Sequence, residues 1–166
     1  MAGLRIKGIE RNANENVNRP VIRRSNTGQI AHRNNLFPSM KPRPLIAVVD
    51  DEEPVRKALQ RFLRAVGFEV EVFPGGEEFL RTLPHHQPDC AVLDLHMPEV
   101  TGFDVQAKLA KAHPRVPVVI ITGHDSNEAQ NRAVAGGASA YLRKPVDGHV
   151  LLDSITSALG SADERM

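Results

Sequence analysis

The chain has 166 residues, the size of one domain, and 41% of them are hydrophobic, which is enough for a buried core. Its formal net charge is +1, but residues 1–43 are basic and residues 44–166 are acidic. The single cysteine, Cys90, excludes an internal disulfide framework and favours a reducing, cytoplasmic location. No apolar stretch has the length of a membrane span or of a secretory signal, so neither is expected.

Residues 1–43 differ in composition from the rest of the chain. They carry nine Lys and Arg against two acids, Glu10 and Glu15, and show no sustained helix or strand periodicity. Such a segment buries too little apolar surface to offset its ordering entropy, so we predict a disordered basic extension, a solvated tail rather than a nucleic-acid-binding arm. A transit peptide is disfavoured because the two acids interrupt the segment. A third interpretation is that translation starts at Met40.

Strand and helix patterns alternate in the middle of the chain. Leu45–Val49 is a continuous apolar run, which is typical of a strand buried on both faces. Pro54 favours the start of a helix, where its missing N–H costs nothing, and Gly67 favours the end of that helix. Glu69–Phe73 alternates as a strand, and a second helix is predicted after Gly75–Gly76. The apolar stripes of these two helices are Val55, Leu59, Phe62, Leu63 and Val66, and Phe79, Leu80 and Leu83.

The second half of the chain repeats this alternation three times. Short runs rich in apolar or β-branched residues predict strands, and the segments after them predict helices. Asp147 is placed to cap the last helix, whose apolar stripe contains Leu151, Ile155 and Leu159. The predicted strands are Cys90–Leu93, Val118–Ile121 and Ala140–Leu142, and the predicted helices follow Gly102, span Asn127–Ala135 and follow Asp147.

Five strands that alternate with five helices predict an α/β fold with a doubly wound, five-stranded parallel sheet. The flavodoxin-like strand order 2-1-3-4-5 places the first and third strands side by side, with the switch point between them. Ligands of such sheets bind at the carboxyl ends of the strands, in the crevice at that switch point. The polar residues that follow the strands are therefore the candidates for function.

Five polar side chains lie at the ends of the predicted strands. Asp50 and Asp51 follow the first strand, Asp94 the third, Thr122 the fourth and Lys144 the fifth. Three neighbouring carboxylates repel one another unless a cation lies between them, and Mg²⁺ prefers such oxygen ligands. A carboxylate kept ionised by the metal can attack phosphorus, while a lysine neutralises the transferred group and a hydroxyl donates a hydrogen bond to it. The pattern predicts a Mg²⁺ and phosphoryl site with Asp94 as the nucleophile.

Four motifs contain these residues, in the order Val48–Pro54, Leu93–Gly102, Ile120–Gly123 and Tyr141–Pro145. Together they resemble the receiver domain of two-component response regulators, over about residues 44–160. The segments Glu53–Lys57 and Thr122–His124 resemble most the FixJ-like subgroup of nitrogen-fixation regulators. The resemblance implies a receiver domain between the basic extension and a short tail, residues 161–166.

The resemblance also implies a role for each residue of the predicted site. Asp94 would be the phosphoacceptor, and its carboxylate would also bind the metal. Asp51 would bind Mg²⁺ directly, Asp50 would assist through water, and the backbone carbonyl of His96 would be a further ligand. Lys144 would pair with the phosphoryl group.

A switching mechanism is implied by the same resemblance. The peptide bond before Pro145 would be cis. Thr122 would move toward the phosphoryl group, and Tyr141 would turn inward. These movements would repack the face formed by the fourth helix, the fifth strand and the fifth helix, which is the expected contact surface for a protein target or a second copy of the chain.

The implied phosphodonor is a sensor histidine kinase or a phosphotransfer protein. The chain would be a signalling switch rather than an enzyme, since it would catalyse only its own phosphorylation and dephosphorylation. Because residues 161–166 alone follow the last predicted helix, we expect no C-terminal DNA-binding domain in this chain. Two interpretations of the output stay open: a stand-alone receiver that acts through protein contacts, and the receiver fragment of a truncated transcription regulator.

Two other classes of protein fit part of the pattern. A Mg²⁺-dependent phosphohydrolase with an aspartyl-phosphate intermediate would need a general acid two residues after the nucleophile, where this chain has His96, and a cap domain. A flavodoxin-like nucleotide or flavin module would need a Gly- or Ser/Thr-rich loop after the first strand, where Asp50–Glu53 would repel a phosphate. Neither class explains the sequence as well as the receiver does.

Some residues near the site also have simpler interpretations. Glu52 and Glu53 are expected in the first turn of a helix, where acids suit the helix dipole. His96 and His124 are either exposed loop residues or groups that control water access to the site. Tyr141 is either a packing residue or half of the switch pair.

Overall fold

The computed structural model describes residues 42–164, so the predicted basic extension lies almost entirely outside the described residues. Strands and helices alternate strictly through this part of the chain. The strands are β1 (Leu45–Val49), β2 (Glu69–Phe73), β3 (Cys90–Asp94), β4 (Val118–Thr122) and β5 (Ala140–Arg143). The helices are α1 (Glu53–Ala65), α2 (Gly76–Thr82), α3 (Gly102–Ala112), α4 (Asn127–Ala135) and α5 (Gly148–Asp163). None of the helices within residues 42–164 combines the length and apolarity needed to cross a membrane.

The five strands form one parallel sheet in the order β2-β1-β3-β4-β5, which confirms the predicted doubly wound fold. β1 pairs with β3 in the register Val49 to Leu93, so the residues that follow these two strands lie side by side. In the next two pairs Asp94 lies beside Ile121, and Thr122 lies beside Arg143. The predicted site residues therefore meet at one edge of the sheet.

The sheet is covered on both faces, which explains why its central strands are apolar up to the polar residues at their carboxyl ends. Ala47 and Val49 of β1 belong to one core cluster, which also contains buried residues of α2 and α3 and Ala133 of α4. The alternate residues of the same strand, Ile46 and Val48, belong to a second cluster with Leu63 of α1 and the buried face of α5. Helices α2, α3 and α4 thus pack on one face of the sheet, and α1 and α5 on the other.

The first helix ends earlier than its sequence pattern predicts. Val66 was predicted to continue the apolar stripe, but this prediction is wrong: Val66 is 42% exposed. The helix ends at Ala65, and Val66 is the C-cap with a ψ of 4°, so its side chain leaves the stripe. Gly67 then adopts a φ of +106°, a left-handed conformation that glycine tolerates and that turns the chain toward β2.

The last helix runs longer than predicted, to Asp163, three residues into the segment predicted as a tail. The Oγ atom of Ser161 donates a hydrogen bond to the carbonyl of Ser157, which satisfies polar groups in this last part of the helix. At its other end the Asp147 side chain caps the helix as predicted, accepting hydrogen bonds from the N–H groups of His149 and Val150.

Helix α3 begins directly against the end of β3. The N–H of Gly102 donates to the carbonyl of Leu95, and a Cβ atom at residue 102 would lie 2.2 Å from the carbonyl oxygen of Asp94. A side chain at this position would therefore displace the backbone at the site. Thr101 and Asp104 form a capping box that fixes the first turn of the helix.

Candidate functional site

Three carboxylates converge at the carboxyl edge of the sheet, as the strand pattern predicts. One carboxylate oxygen from each of Asp50, Asp51 and Asp94 lies within 4.8 Å of the others. Asp50 and Asp94 are buried, with exposures of 0% and 3%, whereas Asp51 is exposed. Burial raises the pKa of Asp94 above its ordinary value, against the charge of Lys144, and the Asp50 carboxylate adds to the increase. The site therefore concentrates negative charge where water is scarce.

Lys144 supplies positive charge to this cluster from the loop that follows β5. Its Nζ atom lies 2.8 Å from Asp50 Oδ2, 2.9 Å from Glu52 Oε1 and 3.5 Å from Asp94 Oδ1. Burial alone would lower the pKa of Lys144, but the hydrogen bonds to Asp50 and Glu52 and the charges of Asp50 and Asp94 raise it above its ordinary value. The lysine therefore stays protonated at neutral pH.

The donor set fits a hard divalent cation. The Oδ2 atom of Asp50 is shielded from solvent and, among residues 42–164, has no hydrogen bond of good geometry, although the Lys144 ammonium lies close by. With Asp51 and Asp94 it offers three carboxylate oxygens, the ligand type that Mg²⁺ prefers. A cation there would relieve the mutual repulsion and would be a second positive neighbour for Asp50 Oδ2 beside the Lys144 ammonium. A metal-binding role for the His96 carbonyl stays a prediction.

Arg56 holds the acidic loop in place, a role that the sequence analysis missed. Its Nη1 atom donates to the carbonyl oxygens of Asp50 at 2.7 Å and Asp51 at 2.9 Å. The arginine lies in the first turn of α1, close enough to reach back over the loop. The sequence carries no local signal for this contact, because it depends on the path of the loop between β1 and α1.

Glu52 takes a different position from the one predicted. It precedes α1 as the N-cap residue, and Glu53 is the first residue of the helix. The N–H of Glu52 donates to Asp50 Oδ1 at 2.9 Å, and its carboxylate accepts a hydrogen bond from Lys144. The helix-dipole interpretation therefore applies to Glu53 alone, and Glu52 is part of the site.

Thr122 is fully buried at the end of β4, and its hydroxyl group is already engaged. The Oγ1 atom donates to the carbonyl of His124 and accepts from the N–H of the same residue, both at 3.1 Å. It also lies 3.3 Å from the Nδ1 atom of His96. A main-chain hydrogen bond also joins Thr122 to Lys144, because the N–H of Lys144 donates to the Thr122 carbonyl at 2.7 Å.

His96 and His124 form a pair beside the threonine. Their ring centroids are 5.0 Å apart with the planes tilted by 59°, and both residues are exposed. The contact between His96 and the Thr122 hydroxyl places the pair at the entrance of the acidic site. Both histidines are exposed, and control of water access by either of them stays a prediction.

Tyr141 lies on the neighbouring strand, with its side chain partly buried against the core cluster under α3 and α4. Its hydroxyl oxygen is shielded from solvent and lacks a hydrogen bond of good geometry to the described residues. Burial raises the pKa of the Tyr141 hydroxyl, and the nearby Asp125 carboxylate raises it further. The peptide bond between Lys144 and Pro145 is cis.

A groove of about 680 Å³ opens beside the site, between α1 and the loop that follows β5. Its apolar wall includes Val55 and Leu59 of α1 and Val146 of the loop. Glu52 and Lys144 form its polar end. The groove therefore leads from the protein surface to the ion pair at the acidic cluster.

Comparison with known proteins agrees with this geometry. A profile of the response regulator receiver domain matches residues 46–156. The chain is 35% identical over 114 residues to Nodulation protein W of Bradyrhizobium diazoefficiens, covering 69% of this chain and 50% of that protein. It is 34% identical over 113 residues to the transcriptional regulatory protein FixJ of Rhizobium meliloti, covering 68% of this chain and 55% of that protein. The chain thus spans about half the length of these relatives.

Solved structures show the same similarity. A response regulator receiver protein from Burkholderia phymatum is 40% identical, with a TM-score of 0.64, and the match covers 71% of this chain and 96% of that one. A CheY-like receiver domain protein from Methanospirillum hungatei is 27% identical, with a TM-score of 0.71, and the match covers 75% and 99% of the two chains. From its sequence, its strand order and its acidic edge, this chain belongs to the response regulator receiver family.

Proposed function

We propose that Asp94 accepts a phosphoryl group from a sensor histidine kinase or a phosphotransfer protein, and that this modification switches a protein-interaction surface. The observation that carries the proposal is the position of Asp94: a buried carboxylate beside two other acids and 3.5 Å from a lysine ammonium. A carboxylate in this setting is both a nucleophile and a group whose charge needs a counterion. The chain would act as a switch, not as an enzyme with multiple turnovers.

The chemistry needs few groups from the protein. An Asp94 oxygen attacks phosphorus, the bond from phosphorus to the donor nitrogen breaks, and its electron pair leaves with the donor imidazole. Asp50, Asp51 and Asp94 would hold Mg²⁺, which when bound neutralises charge on the transferred group. Lys144 supplies the second positive charge, and the Thr122 hydroxyl supplies a hydrogen-bond donor. Attack of water on the same phosphorus regenerates the Asp94 carboxylate and releases inorganic phosphate, which resets the switch.

The switch would begin at Thr122. Its hydroxyl now donates to the His124 carbonyl, so bonding a phosphoryl oxygen requires that it exchange one partner for another. Tyr141, whose hydroxyl lacks a hydrogen bond of good geometry, would turn inward into the space left when Thr122 moves toward the phosphoryl group. Phosphorylation would then shift a pre-existing equilibrium between two arrangements of α4, β5 and α5.

The output would come from that same face. Val134 of α4 and Val150 of α5 are 62% and 49% exposed, so these two helices present apolar side chains that a protein target or a second copy of the chain would be able to contact. Because the chain matches about half the length of its curated relatives, its output is a proposal: either a stand-alone receiver acting by protein contact or the receiver part of a longer transcription regulator. A cytoplasmic location stays an expectation from the sequence.

The test is phosphorylation of the full chain by a small phosphodonor, acetyl phosphate, in the presence of Mg²⁺. Wild type should take up one phosphoryl group per chain, and Asp94→Asn should take up none, by intact-mass analysis. Asp153→Asn, which removes an exposed aspartate of α5, is the matched control and should behave as wild type. Undiminished uptake by Asp94→Asn would refute the proposal, and multiple-turnover hydrolysis of metabolite phosphates would favour the phosphohydrolase interpretation.

A further inference from the structure

The ammonium group of Lys144 lies nearer to two other acids than to the phosphoacceptor. Its Nζ atom is 2.8 Å from Asp50 and 2.9 Å from Glu52, but 3.5 Å from Asp94. The distance to Asp94 is the longest of the three, at the outer limit of a hydrogen bond. The resting lysine is therefore held toward Asp50 and Glu52, although its proposed task is to pair with a group on Asp94.

Glu52 differs from the other two acids in its exposure. Its side chain is 60% exposed, whereas the side chains of Asp50 and Asp94 are 0% and 4% exposed. When the lysine leaves Glu52, water can solvate the freed carboxylate, so this contact is the least costly of the three to break. The contact with Asp50 is buried, and its loss would leave a desolvated charge without a partner.

The main chain fixes Glu52 in this position. Its N–H donates to Asp50 Oδ1 at 2.9 Å, and its extended backbone, with a ψ of 105°, places it just before α1. From there the side chain spans the gap to Lys144, which is 92 residues later in the sequence.

We propose that Glu52 is a positioning residue, a counterion that holds Lys144 beside Asp50 and competes with the phosphoryl group for it. The inference rests on the proposed function of Asp94 and adds a residue to it. On phosphorylation Lys144 would exchange the Glu52 carboxylate for a phosphoryl oxygen, with no covalent bond changed and no proton transferred by Glu52. Glu52 therefore disfavours the phosphorylated state, and its neutralisation stabilises that state.

Glu53 provides a matched control for this competition. It is the next residue, its side chain is 61% exposed, and its carboxylate pairs with Lys57 within α1. Glu53→Gln removes the same charge from the same loop region without removing the partner of Lys144. A comparison of Glu52→Gln with Glu53→Gln separates the direct contact from the general loss of negative charge.

The experiment measures binding of beryllofluoride, a mimic of the acyl-phosphate group, to the full chain at saturating Mg²⁺ by titration calorimetry. Glu52→Gln should bind the probe about 1.5- to 5-fold more tightly than wild type, the range expected for loss of one exposed ion pair. Glu53→Gln should bind as wild type does. In a crystal structure of Glu52→Gln without the probe, Lys144 Nζ should lie closer to Asp94 Oδ1 than the 3.5 Å found here.

Three results would overturn the inference. The first is unchanged or weaker binding by Glu52→Gln, and the second is an equal gain in both variants, which would assign the effect to long-range charge. The third is an unmoved Lys144 in the crystal structure of the variant. These failures differ from failure of the proposed function, in which wild type itself would neither bind beryllofluoride nor accept a phosphoryl group at Asp94.

Discussion

In the interior of the sheet the residues of the central strands are apolar and buried on both faces, whereas at the carboxyl edge three carboxylates lie within 4.8 Å of one another and a lysine pairs with two of them. β1 shows the contrast within seven residues: Ile46–Val49 are no more than 1% exposed and fully packed, and Asp50 and Asp51 follow at once. In the interior burial stabilises the fold. At the edge burial strengthens the repulsion between charges, and the proposed phosphoryl transfer would require those charges.

The largest expected effect comes from truncating a buried side chain in the interior of the fold. Ile155 of α5 is fully buried in the cluster with α1, so Ile155→Ala should lower the free energy of unfolding by about 2–5 kcal/mol through lost burial and a residual cavity. Val150→Ala, on the same helix at a residue 49% exposed, should stay within about 0.5 kcal/mol of wild type. Urea denaturation measures both, and equal effects would contradict the assignment of α5 to this core.

The second effect is stabilisation of the folded state by Mg²⁺ bound at the carboxylate cluster. If Mg²⁺ binds the folded site, a concentration 100-fold above its Kd should raise the free energy of unfolding by about 2.7 kcal/mol. Asp51→Asn removes one of the three carboxylates and should reduce this gain at the same Mg²⁺ concentration, while Asp153→Asn should keep it. Equal stabilisation of Asp51→Asn and wild type in urea denaturation would place the cation elsewhere.

The third and smallest effect is an increase in the free energy of unfolding when the Asp94 carboxylate is replaced by a neutral amide. Burial raises the pKa of Asp94 in the folded state, so the folded protein binds this proton more tightly than the unfolded chain does. The contribution of Asp94 to the free energy of unfolding is therefore fully present below pH 3.8, the ordinary pKa of this carboxyl group. It is lost as the pH rises through the raised pKa of the folded state. Without Mg²⁺, Asp94→Asn should be more stable than wild type at neutral pH, by more than the 0.5 kcal/mol typical of surface changes.

This gain should shrink as the pH falls toward the ordinary range of an aspartic acid, because wild-type Asp94 is then protonated as well. Urea denaturation of both proteins across a pH series in a metal chelator measures the difference. A constant or reversed difference would show that burial of the ionised Asp94 carboxylate does not oppose folding. Asp153→Asn, on the exposed face of α5, should show no comparable pH-dependent difference from wild type.

The interior could be predicted from the sequence because its signals are local and repeated. Apolar runs and one alternating segment predicted all five strands to within one residue. The alternation of strands and helices predicted the doubly wound fold, whose flavodoxin-like strand order placed Asp50, Asp51 and Asp94 at one edge. Helix ends were less predictable: the position of Val66 depends on one backbone torsion at the C-cap.

Contacts at the edge could not be predicted in the same way, because they join residues that are distant in the sequence. Helix propensity placed Glu52 in the first turn of α1, but its partner Lys144 lies 92 residues away and becomes a neighbour only when β5 joins the sheet. The clamp formed by Arg56 depends on the path of the acidic loop, which composition does not encode. The metal-binding role of the His96 carbonyl and the switching roles of Thr122 and Tyr141 stay predictions.

The most direct test of the central claim is to locate the modified residue. After incubation of the full chain with acetyl phosphate and Mg²⁺, borohydride reduction converts a phosphorylated aspartate to homoserine, which peptide mass spectrometry can assign to one position. We predict homoserine at position 94 and at no other aspartate. Homoserine at position 50 or 51, or none in the whole chain, would contradict the assignment of Asp94 as the phosphoacceptor.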